Sequence, residues 1–486
     1  MNFSKSHRIV TNPCLIATDV DKTILAQIDD KEDEKILFVR KVAPQLVASA
    51  RLGINICFLT GNSMKELSSR ILLWLLEQLC SAKEVYLLER FHFFCNAGGV
   101  YAHFSNNDCK FNELLEKEKS RQLSSKEVLK VLMMTDETDE YVIRPRFLDR
   151  TFINKTVIPE NELKELSIEL NKIGQEYIKE LTENSENFAK TYDIDRVSNN
   201  NLLTIPYIEK RMIRYGDDKS PIIGSVQITL KPILSFRHGV NDEIQTSLFQ
   251  TTTDLRSIYI KKLIQRLDDV GLGHYSPRPG GRASIDVTIE KLDKAYALQY
   301  LIDHLNIQGH KSKGQLFGSN TIYLGDEVIV GGGNDYVVSR IPGILVMAVN
   351  RDKHLVPFSA NIFVPHTLYE GPDASYTFLT DFNRKAEELL TLSNKQGPRY
   401  NKSNAVVEYK RSLFKRRIEE KLKQFESVSS DELQIMHALV SLMCRKDIDA
   451  REWISILVNE LNDIMAKLST SRGVVPSALG NSYDES

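Results

Sequence analysis

The chain has 486 residues, 42% hydrophobic and 26% charged, the proportions of a globular protein of roughly three domains. Its 63 Lys and Arg against 65 Asp and Glu leave a formal net charge of -2, which excludes the broad basic footprint that duplex nucleic acid requires but not a local basic pocket for a small anion. The apolar run from Ile71 to Leu76 stops at Glu77, far short of the roughly 20 residues of a membrane span, and the polar stretch from Met1 to Thr11 has no apolar signal core.

The first hundred residues alternate strand and helix patterns. Pro13 to Thr18 reads as a strand and Leu37 to Leu52 as a helix closed by Gly53. Ile54 to Leu59 reads as a second strand before Thr60-Gly61-Asn62, and Ser63 to Cys80 as a second helix. Val85 to Leu88 and Phe91 to Cys95 follow as strands. Short apolar strands separated by helices specify a parallel sheet buried on both faces. Six cysteines (Cys14, Cys57, Cys80, Cys95, Cys109, Cys444) show neither CxxC pairing nor zinc spacing. Cys14, Cys57 and Cys95 sit in apolar runs, as reduced core thiols do. A reduced, cytoplasmic protein is expected.

The rhythm changes between about residue 105 and residue 290. A charged helical stretch (Leu114 to Leu132), a strand (Tyr141 to Phe147) and a long amphipathic helix (Glu160 to Leu181) come first. A polar loop (Val197 to Leu202), a strand (Ile222 to Leu230), a helix (Asp254 to Val270) and a strand (Ala283 to Thr288) complete a mixed α+β module with an antiparallel sheet. The parallel signature then returns with a helix (Lys294 to Leu305) and strands (Thr321 to Leu324, Ile344 to Val349). The expected organisation is therefore an α/β core over 1–104 and 291–372, an inserted α+β module over 105–290, and a helical extension over 373–486. Within the extension, Ser429 and Glu432 have capping-box spacing, and the Gly/Ser/Pro-rich tail from Gly473 to Ser486 is expected to be disordered.

The segment Leu15 to Thr23 carries an apolar strand ending in Asp19-Val20-Asp21. Residues two apart on extended backbone share a face, and the C-terminal ends of strands are where open α/β sheets bind ligands. Clustered carboxylates repel one another unless a cation or proton intervenes, so a hard ion such as Mg²⁺ suits them. One of the pair can then attack an electrophile while the other moves protons. Taken alone, the segment reads equally well as an Asp-rich turn. Three further segments add to it. Thr60-Gly61-Asn62 offers a hydroxyl and a glycine for a phosphate oxygen at a helix N-terminus. Lys294 opens a helix and can neutralise a phosphate, although a lone lysine there is ordinarily solvated. Gly325-Asp326 ends another strand, and Gly331-Gly332-Gly333-Asn334-Asp335 follows, where glycines permit close approach and acids offer oxygen ligands.

These motifs, in this order, resemble the haloacid dehalogenase-like (HAD) superfamily over about residues 10–104 and 291–350. The insertion occupies the place of the cap in the subgroup that holds Cof-type sugar phosphatases, sucrose-phosphate phosphatase and eukaryotic phosphomannomutase. Asn96-Ala97-Gly98-Gly99 is similar to that subgroup's exit into the cap, and Gly280 to Lys294 to its return. The resemblance implies a Rossmann-like core and Mg²⁺-dependent hydrolysis of a sugar or polyol phosphate through an aspartyl-phosphate. It implies Asp19 as nucleophile and Asp21 as acid and base. Thr60, Gly61, Asn62 and Lys294 would hold the phosphoryl group. Asp19, Asp21 and Asp326 would form the Mg²⁺ site, supported by Asn334 and Asp335. The chain departs from the pattern at Lys22, where glycine is most usual, in the seven residues between Asp326 and Asn334, and in Glu290-Lys291-Leu292, which lacks the tryptophan of phosphomannomutases.

Arg278 and Arg282 form a basic loop that can clamp a phosphate or sugar from the cap; the competing reading is a hairpin turn with solvated arginines. His274 reads as a surface residue. The run Lys410-Arg411 and Lys415-Arg416-Arg417, interleaved with Glu419 and Glu420, reads as a solvated helix face and not as a nucleic-acid site. Asp21-Lys22-Thr23 is superficially like the phosphorylated motif of P-type ATPases, but Ile24-Leu25 follow and no spans accompany it. The expected partner is a small phosphorylated metabolite, with neither nucleic acid nor membrane. A phosphosugar mutase, or a non-catalytic scaffold that binds a protein through its helical extension, are the alternatives.

Overall fold

The computed structural model describes residues 14–26, 28, 30–135, 141–183, 207–231, 257–280, 284–308, 320–329, 334–349, 356, 361–364, 369–396, 406, 409, 410, 412, 413 and 416. In chain order the strands are β1 (Leu15–Thr18), β2 (Asn55–Leu59), β3 (Phe91–Cys95), β4 (Val100–His103), β5 (Met133–Thr135), β6 (Tyr141–Ile143) and β7 (Tyr207–Gly216). Then come β8 (Pro221–Lys231), β9 (Tyr275–Gly280), β10 (Ser284–Ile289), β11 (Thr321–Gly325), β12 (Leu345–Ala348) and β13 (Ile362–Phe363).

The fold is α/β. One seven-stranded sheet runs in the order β13-β12-β11-β1-β2-β3-β4, parallel except for β4. Its central strands read LIAT and NICFL and are buried at every residue, as a sheet covered on both faces demands. Side-chain alternation divides β1 between two apolar layers. Ile16 faces Phe38, Leu46 and Ile71, whereas Leu15 and Ala17 face Leu298 and Leu301 of the helix Lys294–Gln308. The expected helices on the first side each contain a π-turn, Phe38–Val42 and Ser68–Leu72. Asp30 caps the first, and a Ser63/Glu66 capping box starts the second.

A second, antiparallel sheet runs β7-β8-β10-β9. Ile228, Leu230, Ile285 and Val287 on one of its faces pack with Leu163, Leu166 and Leu170 of the helix Glu160–Glu183 and with Leu263 and Leu267 of the helix 257–269. This separate cluster begins at Ile158. Phe104, Phe111, Val128, Phe147 and Ile153, earlier in the inserted stretch, pack instead with the core of the large sheet.

Several elements differ from the sequence pattern. Val85–Arg90 is a 3-10 helix rather than a strand, because the buried carboxylate of Glu118 accepts the N–H groups of Val85 (2.8 Å) and Tyr86 (3.3 Å) that a strand would give to a neighbour. The charged helix divides into Cys109–Ser120 and Ser125–Leu132, since Ser124 and Glu127 form a new capping box. Strand β6 stops at Ile143, because Pro145 opens a 3-10 turn. Strand β9 contains Pro277 and Pro279 and was hidden by them; it is an edge strand, where proline's missing N–H costs no ladder bond. Lys410 does not lie on a solvated face: it is buried, and its ammonium donates to the Gly343 carbonyl at 2.7 Å. The capping box at Ser429, the tail from Gly473, and the loop Val197 to Leu202 lie outside the described residues.

The helix Gly371–Gln396 is built into the core. Ala374, Phe378, Leu379 and Phe382 are buried, and its Asn383 accepts from the Ser49 hydroxyl at 2.7 Å. Among the described residues, no helix is long and apolar enough to cross a membrane. Among the described residues, Cys14, Cys57, Cys80 and Cys95 are buried and Cys109 is exposed, all outside any disulfide.

Candidate active site

The site lies at the C-terminal edge of the large sheet. The Asp19 N–H donates to the Leu324 carbonyl at 2.9 Å, which carries the β1–β11 pairing one residue further and sets Asp19 beside Gly325 and Asp326. From the opposite face, the first residue of the helix Lys294–Gln308 sends in its side chain. The Lys294 ammonium is 4% exposed and donates to Asp19 Oδ1 (2.9 Å), Asn334 Oδ1 (3.0 Å) and Asp335 Oδ1 (2.6 Å). Lys294 is thus buried among the acidic side chains and is not a solvated surface lysine.

Asp335 is fully buried and its carboxylate accepts three hydrogen bonds. Oδ1 also accepts from the Tyr323 hydroxyl, and Oδ2 from the Glu327 N–H at 2.9 Å. Gly325 is obligatory against this carboxylate, because a Cβ there would stand 2.6 Å from Asp335 Cγ. Asp326 lies on the same side and accepts from the Thr23 hydroxyl at a long 3.4 Å. Asp19, Asp326 and Asp335 each bring an oxygen within 4.8 Å of the others.

Burial raises the Asp19 carboxyl above its ordinary range; the Lys294 charge opposes this, and Asp335 adds to it. Burial likewise raises Asp326, helped by the charges of Asp19 and Asp335. Burial works to lower Lys294, but Asp19 and Asp335 outweigh it and hold the ammonium charged. Two carboxyls pushed towards protonation by desolvation and mutual repulsion are the oxygen donors whose strain a hard divalent cation relieves. Asp335 has its oxygens engaged by three donors, so Asp19 and Asp326 are the pair that fits such an ion, with Asp335 orienting Lys294.

Asp21 stands apart from this cluster. Its Oδ2 accepts from Asn62 Nδ2 (2.5 Å) and its Oδ1 from Arg70 (3.1 Å). Asn62 is thereby occupied within the protein: its side chain holds Asp21 and its backbone N–H donates to Thr60 Oγ1 at 3.0 Å. Thr60 is buried, whereas a Cβ on Gly61 would meet nothing within 4 Å, so the strand end opens onto free space there. Lys22 takes up the left-handed conformation (φ 55°), the physical reason a glycine suits this position. Arg278 binds Ser276 Oγ (3.2 Å) on its own strand, and the Leu292 carbonyl (2.8 Å) and Asp293 (3.4 Å) just before Lys294. His274 is exposed and meets Glu162 at 3.2 Å. Arg282 and Gly331-Gly332-Gly333 lie outside the described residues.

Three participants carried no sequence signal of their own: Arg70, buried Glu34 beneath it, and Tyr323. Tyr323 was detectable only as the polar tip in an otherwise apolar strand, and Arg70 only as the single charge in an apolar stretch of helix.

The arrangement defines an α/β protein with a lysine-bridged acidic site at the C-terminal end of its parallel sheet. No family model and no curated protein matches the chain. In three dimensions it is similar to N-terminally truncated IMP-nucleotidase of Plasmodium falciparum, at 13% identity, 70% of this chain, 67% of that chain and a TM-score of 0.35. It is similar to the sucrose-phosphatase of Synechocystis at 13% identity, 77% of this chain, 98% of that one and a TM-score of 0.33. It is also similar to a haloacid dehalogenase-like hydrolase of Bacteroides thetaiotaomicron at 11% identity, 76% of this chain, 99% of that one and a TM-score of 0.34. The chain spans 58% of the length of another form of the Plasmodium nucleotidase.

Proposed function

We propose that this protein is a Mg²⁺-dependent phosphatase of small phosphate monoesters, acting through an aspartyl-phosphate on Asp19. The observation that carries the reading is the buried Lys294 ammonium held between Asp19 and Asp335, with Asp326 in reach of the same point. A buried cation next to one acid pair and an open strand end suits a tetrahedral dianion, whose reactions depend on positioning and charge neutralisation.

In this reading an Asp19 carboxylate oxygen attacks phosphorus. The bond to the ester oxygen breaks, and Asp21 gives that oxygen a proton. Water then attacks the phosphorus of the acyl phosphate, passing a proton back to Asp21 and freeing Asp19 and inorganic phosphate. Lys294 and the Thr60 hydroxyl steady the phosphoryl oxygens through both steps. Asp19 and Asp326 would hold the Mg²⁺ ion, which would supply further neutralisation of the phosphoryl charge.

A sugar or polyol phosphate is the substrate class proposed. The likeness of the inserted segment to the cap of Cof-type sugar phosphatases and sucrose-phosphate phosphatase suggests it. A panel of phosphorylated metabolites, read by phosphate release with and without Mg²⁺, tests the proposal. Turnover that needs Mg²⁺ and disappears in a folded Asp19→Asn variant is expected. Metal-independent turnover, or an unchanged rate in Asp19→Asn, contradicts it; interconversion of hexose 1- and 6-phosphates without phosphate release points to a mutase instead.

A further inference from the structure

Asp21 sits on a loop, and a proton-transfer group is useful only when its carboxylate is held within hydrogen-bond reach of the reacting oxygen. The protein clamps both of its oxygens. Asn62 takes one, and the Nη1 of Arg70 takes the other at 3.1 Å. Arg70 is itself fixed from behind. Its Nε and Nη2 fork onto the carboxylate of Glu34 at 3.1, 2.8 and 2.9 Å, and Glu34 is only 2% exposed. Two of the three guanidinium nitrogens are thus spent on orienting the plane, and the third is aimed at Asp21. Arg70 lies within the π-turn Ser68–Leu72, whose wider winding sets it off the regular helical register. Lysine cannot substitute, since one ammonium does not form a fork of fixed geometry.

We propose that Arg70 is a positioning residue for Asp21, aimed by Glu34, so that the relay Glu34–Arg70–Asp21 fixes the proton donor relative to Asp19. The inference rests on the phosphatase reading of the site. It assigns a role to two residues in the neighbouring helices, with no contact to the phosphoryl group required of either.

The test exploits leaving groups. p-Nitrophenolate departs without help from a proton, whereas phenolate needs one far more. The ratio of kcat/KM for p-nitrophenyl phosphate to that for phenyl phosphate is measured, with Mg²⁺, in wild type, Arg70→Lys and Glu34→Gln. If the relay positions the donor, the ratio rises by about tenfold or more in Arg70→Lys and in the same direction in Glu34→Gln. Glu34→Gln keeps the volume of the buried side chain, so it reports even where Arg70→Lys fails to fold. Equal losses on both esters in folded variants overturn the relay while leaving the phosphatase reading intact. Absence of phosphate release by the wild-type protein from both esters and from the whole metabolite panel overturns that reading, and the relay with it.

Discussion

At the scale of single residues, Lys294 is the keystone of the site. It is one cation among three acidic side chains in a desolvated space, and the partners Asp19 and Asp335 are themselves buried. Removing one member of such a group strands the others without a counter-charge. Lys294→Met is therefore expected to destabilise the metal-free protein by about 3–5 kcal/mol in urea unfolding, together with loss of turnover. Unchanged stability would mean that the two carboxyls are protonated or solvated in the native protein. The residues that carried their own local pattern were readable in advance: the Asp-x-Asp after a strand, the Gly-Asp after another, and the lysine that opens a helix. Arg70 was not, because its partner Asp21 is 49 residues away and its neighbours Ile71 and Leu72 mark only a buried helix. Lys410 was misread for a similar reason. A charge run has no signature that tells which of its members is turned inward.

At the scale of elements, strands β3 and β4 bring three imidazoles together with the helix Lys294–Gln308. The His92 and His103 rings stack at 5.3 Å, and His304 meets His103 edge-on at 6.1 Å. His92 also shares a 2.9 Å hydrogen bond with the Tyr101 hydroxyl. Burial, the largest influence, lowers all three, and mutual repulsion lowers His92 and His103 further; His103 is brought down from 6.5 to about 4. As pH falls below 6.5 the unfolded chain takes up a proton at this position that the folded one refuses until about 4. The unfolded state therefore binds more protons in that window, and stability falls with pH. His103→Phe keeps the ring and removes the titration. Relative to wild type, its unfolding free energy should depend less on pH between about 4 and 6.5, by at most about 1.4 kcal/mol per pH unit. Parallel curves would refute a neutral, half-buried His103. The strands that hold the site were legible as apolar runs. The turns were less so, because Val85–Arg90 is as apolar as a strand and only its bonds to Glu118 make it a 3-10 helix.

At the scale of the whole molecule, four distant stretches converge on one sheet edge, and later segments brace it. The helix Gly371–Gln396 begins against the loop that follows Asp19. A Cβ on Gly371 would stand 2.7 Å from the Lys22 carbonyl, and the Ser375 hydroxyl donates to the Thr23 carbonyl at 2.6 Å. The parallel character of the large sheet followed from strands buried on both faces. The place of this helix did not, because an amphipathic pattern shows that a face is covered without saying by what.

The central claim is that Asp19 carries the phosphoryl group. Rapid acid quench during turnover of p-nitrophenyl phosphate with Mg²⁺, followed by peptide mapping, tests it most directly. A phosphoryl adduct on the peptide containing Asp19, absent from Asp19→Asn, is the predicted result; sustained phosphate release with no adduct there, and with Asp19→Asn still active, would contradict it.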